Sequence, residues 1–380
     1  MKKKIHYCFI ASSFDRTDPL IIYRQGKYLA SSGFRVTYIV SDNYAEEYKF
    51  GIDIIPSGYT PNSRIKRIFF TKKYLFKKAM YVSADIYQIS EPAQISLGLK
   101  LKMKGKQIVF NMRENYPATM NEKYYIPKIF RKTAALLLEK YMCKTLKKYN
   151  AIFAVTSNIV NIIKKEWECN HTFLITNYPT IDTSFNLTFD EYKNRGDVLC
   201  YIGTIYSISR QEIMFQALED IPEIQYLIAG KFDENYKNLL DTLYWSKVNF
   251  IDGFKKEEMS KILAKASISN TLRDFSKTGS PNGSLGVIKI FESMEAAIPV
   301  LFSNVPVYQD IVEKYKCGIC VNPNDPKEIK QALEYLINNK EEAYKMGQNG
   351  RKAVIEEYNW DNQYKLYEQV IKNLIINENN

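Results

Sequence analysis

Histidine is nearly missing from this 380-residue chain. The two present, His6 and His171, have no metal-ligating partner at useful spacing, so no histidine-built metal site is expected. No Asp-x-Asp pair occurs, and no divalent metal is expected. No GxGxxG follows the first strand-like run, which argues against a nicotinamide-dependent enzyme. No apolar run reaches the roughly 18 residues that a membrane helix requires. The start, MKKKIHYCFIASSF, carries the charge of a signal peptide, yet no small-residue cleavage site closes it; KIHYCFIA reads as the first strand of a cytoplasmic domain. Six cysteines are present, and Cys317 and Cys320 have CxxC spacing, but no second pair lies near enough to complete a zinc site. Buried, reduced thiols are expected instead.

What is present is a long, basic, ordinary globular composition. The length fits two domains of about 150–200 residues each. Apolar residues make up 46%, enough for packed cores rather than disorder. A net charge of +11 favours anionic partners. The stretch RIKRIFFTKKYLFKKAM (64–80) holds seven Lys or Arg and no acid, with Phe69, Phe70, Tyr74 and Phe76 interleaved. The plainer reading is a solvated helix whose aromatics enter the core; the sharper one is a face that docks on an anionic membrane. No DNA- or RNA-binding motif accompanies the patch, so nucleic acid is not expected as a partner.

Short β-branched runs alternate with amphipathic stretches. IHYCFI (5–10), RVTYIV (35–40), ADIYQI (84–89), QIVFNM (107–112), AIFAVT (151–156) and FLITN (173–177) read as strands, with helices near 20–32, 92–104, 127–149 and 158–167 between them. After polar residues 181–197, read as a linker, the rhythm restarts at VLCYIG (198–203), IQYLIAG (224–230), VNFIDG (248–253), ASISNTL (266–272), PVLFSN (299–304) and GICVNP (318–323). Strands that are apolar nearly throughout suit a parallel sheet covered on both faces. The fold expected is α/β, with two Rossmann-like doubly wound lobes, 1–180 and 198–358, facing a central cleft. A last helix, within 359–380, is expected to rejoin the first lobe. Gly203, Gly230 and Gly253 end three strands of the second lobe, where a ligand can approach the backbone closely.

Residues 280–300 read SPNGSLGVIKIFESMEAAIPV. A helix starting near Val287 would aim unpaired N–H groups at the loop before it, and those donors attract an anion such as a diphosphate. Gly283 and Gly286 would let the loop approach without Cβ clashes. Glu292 lies five residues in, about 7–8 Å along the axis, roughly the distance from a diphosphate to the ribose of the same nucleotide. A carboxylate there can accept from both ribose hydroxyls. The plain alternative is that Lys289 and Glu292 pair on a solvated helix.

This segment resembles the donor-binding signature of GT-B glycosyltransferases, in particular the retaining glycosyltransferase family 4 (glycosyl transferases group 1). VLCYIGTIYSIS-R resembles the strand and loop that open the family's C-terminal lobe, YLIAGK its second strand, and VNFIDGFKKEEMSKILAKASI the segment that meets the nucleobase. EEYNWDNQYKLYEQVIKNL is similar to the closing helix that crosses to the N-terminal lobe. In that lobe QIVFNMRENYPATM resembles a strand ending in D-x-H-E-x-Y-P, ADIYQISEP resembles D-x-Y-H-x-H-D-P, and FDRTDPLIIYRQGKYLASSGFRVTYIV the first acceptor-side loop and helix. The chain departs from the family pattern at Ser284 for a Glu, Thr204 for an Arg, Asn111 and Arg113 for Asp and His, Gln88 and Ser90 for two His, and Glu91 for Asp.

The resemblance implies an acceptor-binding N-terminal lobe and a nucleotide-sugar-binding C-terminal lobe. It implies transfer of a sugar from a nucleotide-diphosphate donor to a glycan or lipid-linked glycan, with retention, in bacterial cell-surface polysaccharide assembly. No cofactor is implied beyond the nucleotide sugar as co-substrate. The site expected from it has Arg113, Glu114, Arg210 and Lys231 as catalytic groups. The donor would be held by Gly203, Gly230, Gly253, Phe254, Asn282, Gly283, Ser284, Leu285, Gly286, Val287, Lys289 and Glu292. Ser13, Asp18 and Glu91 would stand on the acceptor side. The permanent fork of Arg113 suits an acidic sugar or acceptor, unless it pairs with Glu114 or Glu91 and only shapes the site. A cytoplasmic protein on the inner face of the plasma membrane is expected. Two rivals remain: a catalytically inactive glycosyltransferase-like subunit that binds nucleotide sugar or glycan and supports a partner, and a nucleotide-sugar epimerase, whose acid clusters are not evident.

Overall fold

The computed structural model describes residues 4–120, 126–183, 185–233, 236–237, 240, 248–276 and 280–376. The chain divides into two compact units, Met1–Asn177 with Asp361–Asn380, and Tyr178–Trp360.

The first unit is built on eight strands: β1 (His6–Ala11), β2 (Arg35–Val40), β3 (Glu47–Lys49), β4 (Ile52–Pro56), β5 (Ile86–Ile89), β6 (Gln107–Met112), β7 (Ala151–Ala154) and β8 (Thr172–Leu174). Their order is β3-β4-β2-β1-β5-β6-β7-β8. All pairs are parallel except the short β3, which runs against β4. β1 is six buried residues, HYCFIA, because helices cover both faces of the sheet. One face carries a core that joins Leu75, Ala79, Leu101, Met142 and Leu146 from three helices to the strands. The other is covered partly by the last helix, Trp360–Ile376, whose Tyr367 is buried against Tyr7 and Phe153. β3 and β4 are additions to the sequence reading.

The second unit has six parallel strands: β9 (Val198–Ile202), β10 (Gln225–Gly230), β11 (Val248–Asp252), β12 (Ile268–Asn270), β13 (Val300–Ser303) and β14 (Gly318–Val321), in the order β11-β10-β9-β12-β13-β14. The order reverses beside β1 in the first sheet and beside β9 in the second. At such switch points the connections leave on opposite faces and a crevice opens at the strands' carboxyl ends.

Two expectations are corrected. The stretch 181–197 is not a free linker: Phe185, Leu187 and Tyr192 are buried in the second unit. A helix, Phe189–Lys193, is fixed there by a capping box between Thr188 and Glu191, and Tyr192 donates to the Ser267 carbonyl at 3.0 Å. Widely spaced apolar residues inside a polar stretch suffice for docking. Nor do the aromatics of 64–80 all enter the core. Phe69, Phe70 and Tyr74 are exposed, and Phe76 alone of the four packs on it.

Candidate functional site

The carboxyl edge of the second sheet gathers Gly203, Gly230 and Gly253. The Gly203 N–H donates to the Ala229 carbonyl at 2.9 Å, and the Gly253 N–H to the Gly230 carbonyl at 3.0 Å. Gly230 has φ +153°, and a Cβ there would lie 1.9 Å from the Gly203 oxygen. Three strand ends therefore present bare backbone side by side. Thr204 is exposed, while Lys231 runs past Gly253, its Cε 3.5 Å from where a Cβ would stand.

Lys289, in the first turn of helix Ile288–Glu295, points inward from that helix. Its ammonium sits 3.8 Å from the Tyr201 ring centroid and 3.6 Å from the Cβ position of Gly203. Burial, reinforced by the charge of Arg273 and opposed by Glu292, pushes its pKa down to about 7. Arg273, three residues beyond β12, is held through its backbone. Its N–H donates to Ser303 Oγ at 2.8 Å and its carbonyl accepts from that hydroxyl at 2.9 Å. The guanidinium lies 5.5 Å from the Tyr206 ring and 5.8 Å from the Phe275 ring. Its Nε is buried without a hydrogen bond. Tyr201, Tyr206, Ser209, Arg273, Val287 and Lys289 line one small cavity beside β9 and β12. Among the described residues, neither cation meets a carboxylate within ion-pair distance. Cations held together without an anion are costly, so the arrangement is built to receive one.

Arg210, expected to be the phosphate cation, is already neutralised. Its guanidinium meets Glu212 at 2.7 Å, and Glu212 also accepts from the Tyr236 hydroxyl. Arg273, a second cation at this edge, was not singled out from the sequence. The only signal was a cation just past the ASISNTL run, at a strand end.

The loop before helix Ile288–Glu295 differs from the open amide cradle expected. The Gly283 N–H donates to Ser280 O at 3.0 Å, Gly286 N–H to Ser284 Oγ at 3.1 Å, and Val287 N–H to Ser284 O at 3.3 Å. Asn282 O accepts from the Val307 N–H and Ser284 O from the Tyr308 hydroxyl, which pin the loop to the next helix. The Ser284 side chain thus closes one tight turn, to Gly286, while its carbonyl takes the other two bonds as any residue's would. Leu285 packs against the core cluster around Phe291, and Phe254 against that around Met259 and Ile262. Glu292 is half-buried, so it does not lie on a solvated face, and Lys289 is drawn to Tyr201.

In the first unit, the switch point brings Ser12, Ser13 and Glu91 together. The Glu91 carboxylate, buried, accepts from the Ser12 N–H at 2.9 Å, the Ser13 N–H at 2.7 Å and the Ser12 hydroxyl. Arg113 pairs with neither Glu114 nor Glu91. It forms a two-pronged bridge to the buried Asp18 at 2.7 and 3.0 Å and stacks on Phe14 at 3.8 Å. That pairing raises its pKa further, against the effect of burial. Glu114 is exposed. Arg113 and Asp18 thus fix the loop 12–18, and the Arg fork is spent on a residue 95 positions away. A cavity of about 670 Å³ opens beside that loop, with Ser13, Arg16, Tyr44, Asn62 and Arg67 in its wall. Among the described residues no group of three or more His, Cys, Asp or Glu stands together as a metal site. The six cysteines are free thiols, four of them buried.

The model of the family described as "Glycosyl transferases group 1" matches residues 188–353. An uncharacterized glycosyltransferase of Methanocaldococcus jannaschii is 24% identical over 192 residues, covering 49% of this chain and 47% of the relative, about half the length of each. The solved sucrose-phosphate synthase of Thermosynechococcus elongatus superposes with a TM-score of 0.73 at 18% identity, over 98% of this chain and 100% of that one. HepE of Anabaena, solved in complex with UDP-glucose, gives a TM-score of 0.70 at 13% identity, over 97% and 99%. Residues 188–353 of the second unit thus match the group 1 glycosyltransferase model, and the two parallel-sheet units share the fold of these solved proteins.

Proposed function

We propose that the protein transfers a sugar from a nucleoside-diphosphate donor to a hydroxyl of a glycan or lipid-linked glycan, with retention, in bacterial surface-polysaccharide assembly at the inner face of the plasma membrane. One observation carries the donor half: Lys289 and Arg273 converge without an anion beside bare glycine backbone at the switch point of the second sheet. A diphosphate supplies the missing negative charge. HepE, of the same fold, holds UDP-glucose, which supports a nucleotide sugar here. In the reaction the anomeric carbon–diphosphate bond breaks, the acceptor oxygen bonds to that carbon, and the hydroxyl proton passes to the departing diphosphate. The two cations stabilise the charge growing on the leaving group, and Glu292 accepts from the ribose hydroxyls. Lys231 lies exposed at the same edge and reaches the donor from the β10 side.

Thermal-shift screening of nucleoside diphosphates tests this, because a ligand at a hundred times its dissociation constant adds about 2.7 kcal/mol. We expect at least one to stabilise the protein, and Lys289→Met or Arg273→Met to weaken it by tenfold or more. Unchanged affinity in both variants would overturn the assignment. A second reading, an inactive donor-binding subunit, is favoured by the self-bonded 283–287 loop. Release of nucleoside diphosphate only when acceptor is added decides for the enzyme.

A further inference from the structure

Among the described residues, the first unit leaves several large apolar side chains exposed. Helix Arg64–Phe69 has no buried residue, and Ile65, Phe69 and Phe70 stand in solvent. Helix Lys128–Leu146 buries only Met142, Thr145 and Leu146 near its end. Its outer side exposes Ile129 (80%), Phe130, Leu136, Leu137 (62%) and Tyr141. The first of these helices leads directly into helix Thr71–Val82, which lies on the same side of the sheet as helix Lys128–Leu146. Leu75 of helix Thr71–Val82, Leu97 and Leu101 of helix Ile95–Lys102, and Met142 and Leu146 share a single core under the same side of the sheet. The middle helix touches both neighbours.

The charge on this face is mainly positive, although Glu168 pairs with Lys147 at 3.0 Å and Glu166 lies beside the same helix. Residues 64–82 and 128–148 hold fourteen Lys or Arg and one acid, Glu139, a net +13 against +11 for the whole chain, so the remainder is net acidic. Burial, with a smaller contribution from Lys100 of the middle helix, lowers the basicity of Lys72 on its neighbour.

We infer that helix Lys128–Leu146 is a second membrane-contacting element beside 64–82, and that the face they form docks on a bilayer rich in anionic lipid. The charge pattern selects this occupant. A second copy would bring like charge against like. A bilayer accepts isolated Ile, Phe and Leu side chains into its interface while lysines reach its phosphates. The inference deepens the proposed membrane-side acceptor, but its test needs no sugar transfer, so either can fail alone.

Flotation with vesicles of phosphatidylcholine, with and without phosphatidylglycerol, tests it on the full chain. The protein is expected to float only with the anionic vesicles and to be released by high salt. Ile129→Ser/Phe130→Ser/Leu137→Ser, all at exposed positions, is expected to lower the bound fraction about tenfold, as is Phe69→Ser/Phe70→Ser. Near-UV circular dichroism verifies that both variants fold. Wild-type binding by the 129/130/137 variant removes the helix from the interface. Failure of the wild type to float, or a dimer in solution that the same substitutions split, overturns the bilayer as occupant.

Discussion

Lys289 ties the chemistry to pH in a way that can be read from its sign. Its folded pKa of about 7 lies below the unfolded value of about 10.4. Between these limits the unfolded chain holds a proton that the folded one has released, so this group makes the ligand-free protein more stable as pH rises through the window. Anion binding requires the proton back. Donor affinity is therefore expected to fall as pH rises from 7 to 9 while ligand-free stability rises. Lys289→Met is expected to remove this group's part of both trends and to raise the ligand-free melting temperature. Calorimetric titration with a bound nucleoside diphosphate at several pH values checks it; an affinity flat across this range, with proton uptake absent, counts against a charged Lys289 at the diphosphate. The sequence revealed Lys289 and Glu292 because both sit in one short motif. It did not reveal Arg273, whose partners Ser303 and Lys289 are brought to it by sheet order. The Arg113–Asp18 bridge stayed hidden for the same reason.

Elements were legible where local chemistry decides them. QIVFNM became β6 with the same ends, and the helix expected at 127–149 runs Lys128–Leu146. The loop 280–287 was legible as a turn, but not in its bonding, because Tyr308 and Val307 reach it from the next helix. The glycine edge allows a sharper test. Gly230→Ala places a methyl 1.9 Å from the Gly203 oxygen, on backbone that cannot move without breaking β9 or β10. The expected loss is about 2–4 kcal/mol. Gly105, with φ +76° and nothing within 4 Å of its Cβ position, is the control; there alanine should cost about 1–2 kcal/mol, the backbone term alone. Urea unfolding compares them, and equal losses would mean that the edge backbone yields.

At the scale of the whole molecule the chain leaves its first unit at Asn177 and returns at Asp361. The returning helix completes that unit's core. Tyr367, Val370 and Ile371 are buried, and the Tyr367 hydroxyl donates to Gln88 Oε1 at 2.9 Å, which also accepts from Tyr7 at 2.7 Å. Gln88, which replaces a family histidine, is thus a packing node that passes a further bond to Gln25. The Gln363 side chain caps the Thr176 N–H at 3.0 Å, where the chain first departs. The sequence showed the helix and its lack of a nearby strand, but not what it covers, since 279 residues separate Gln88 from Tyr367. Tyr367→Ala should cost about 3–5 kcal/mol, as for other large buried aromatics, and it should strike the first unit. Two-unit chains need not unfold in one step. Scanning calorimetry is expected to show the first unit's transition lowered and the nucleotide-responsive transition in place. If the variant instead lowers the nucleotide-responsive transition by the same amount, the two units unfold as one and the closing helix stabilises the entire molecule.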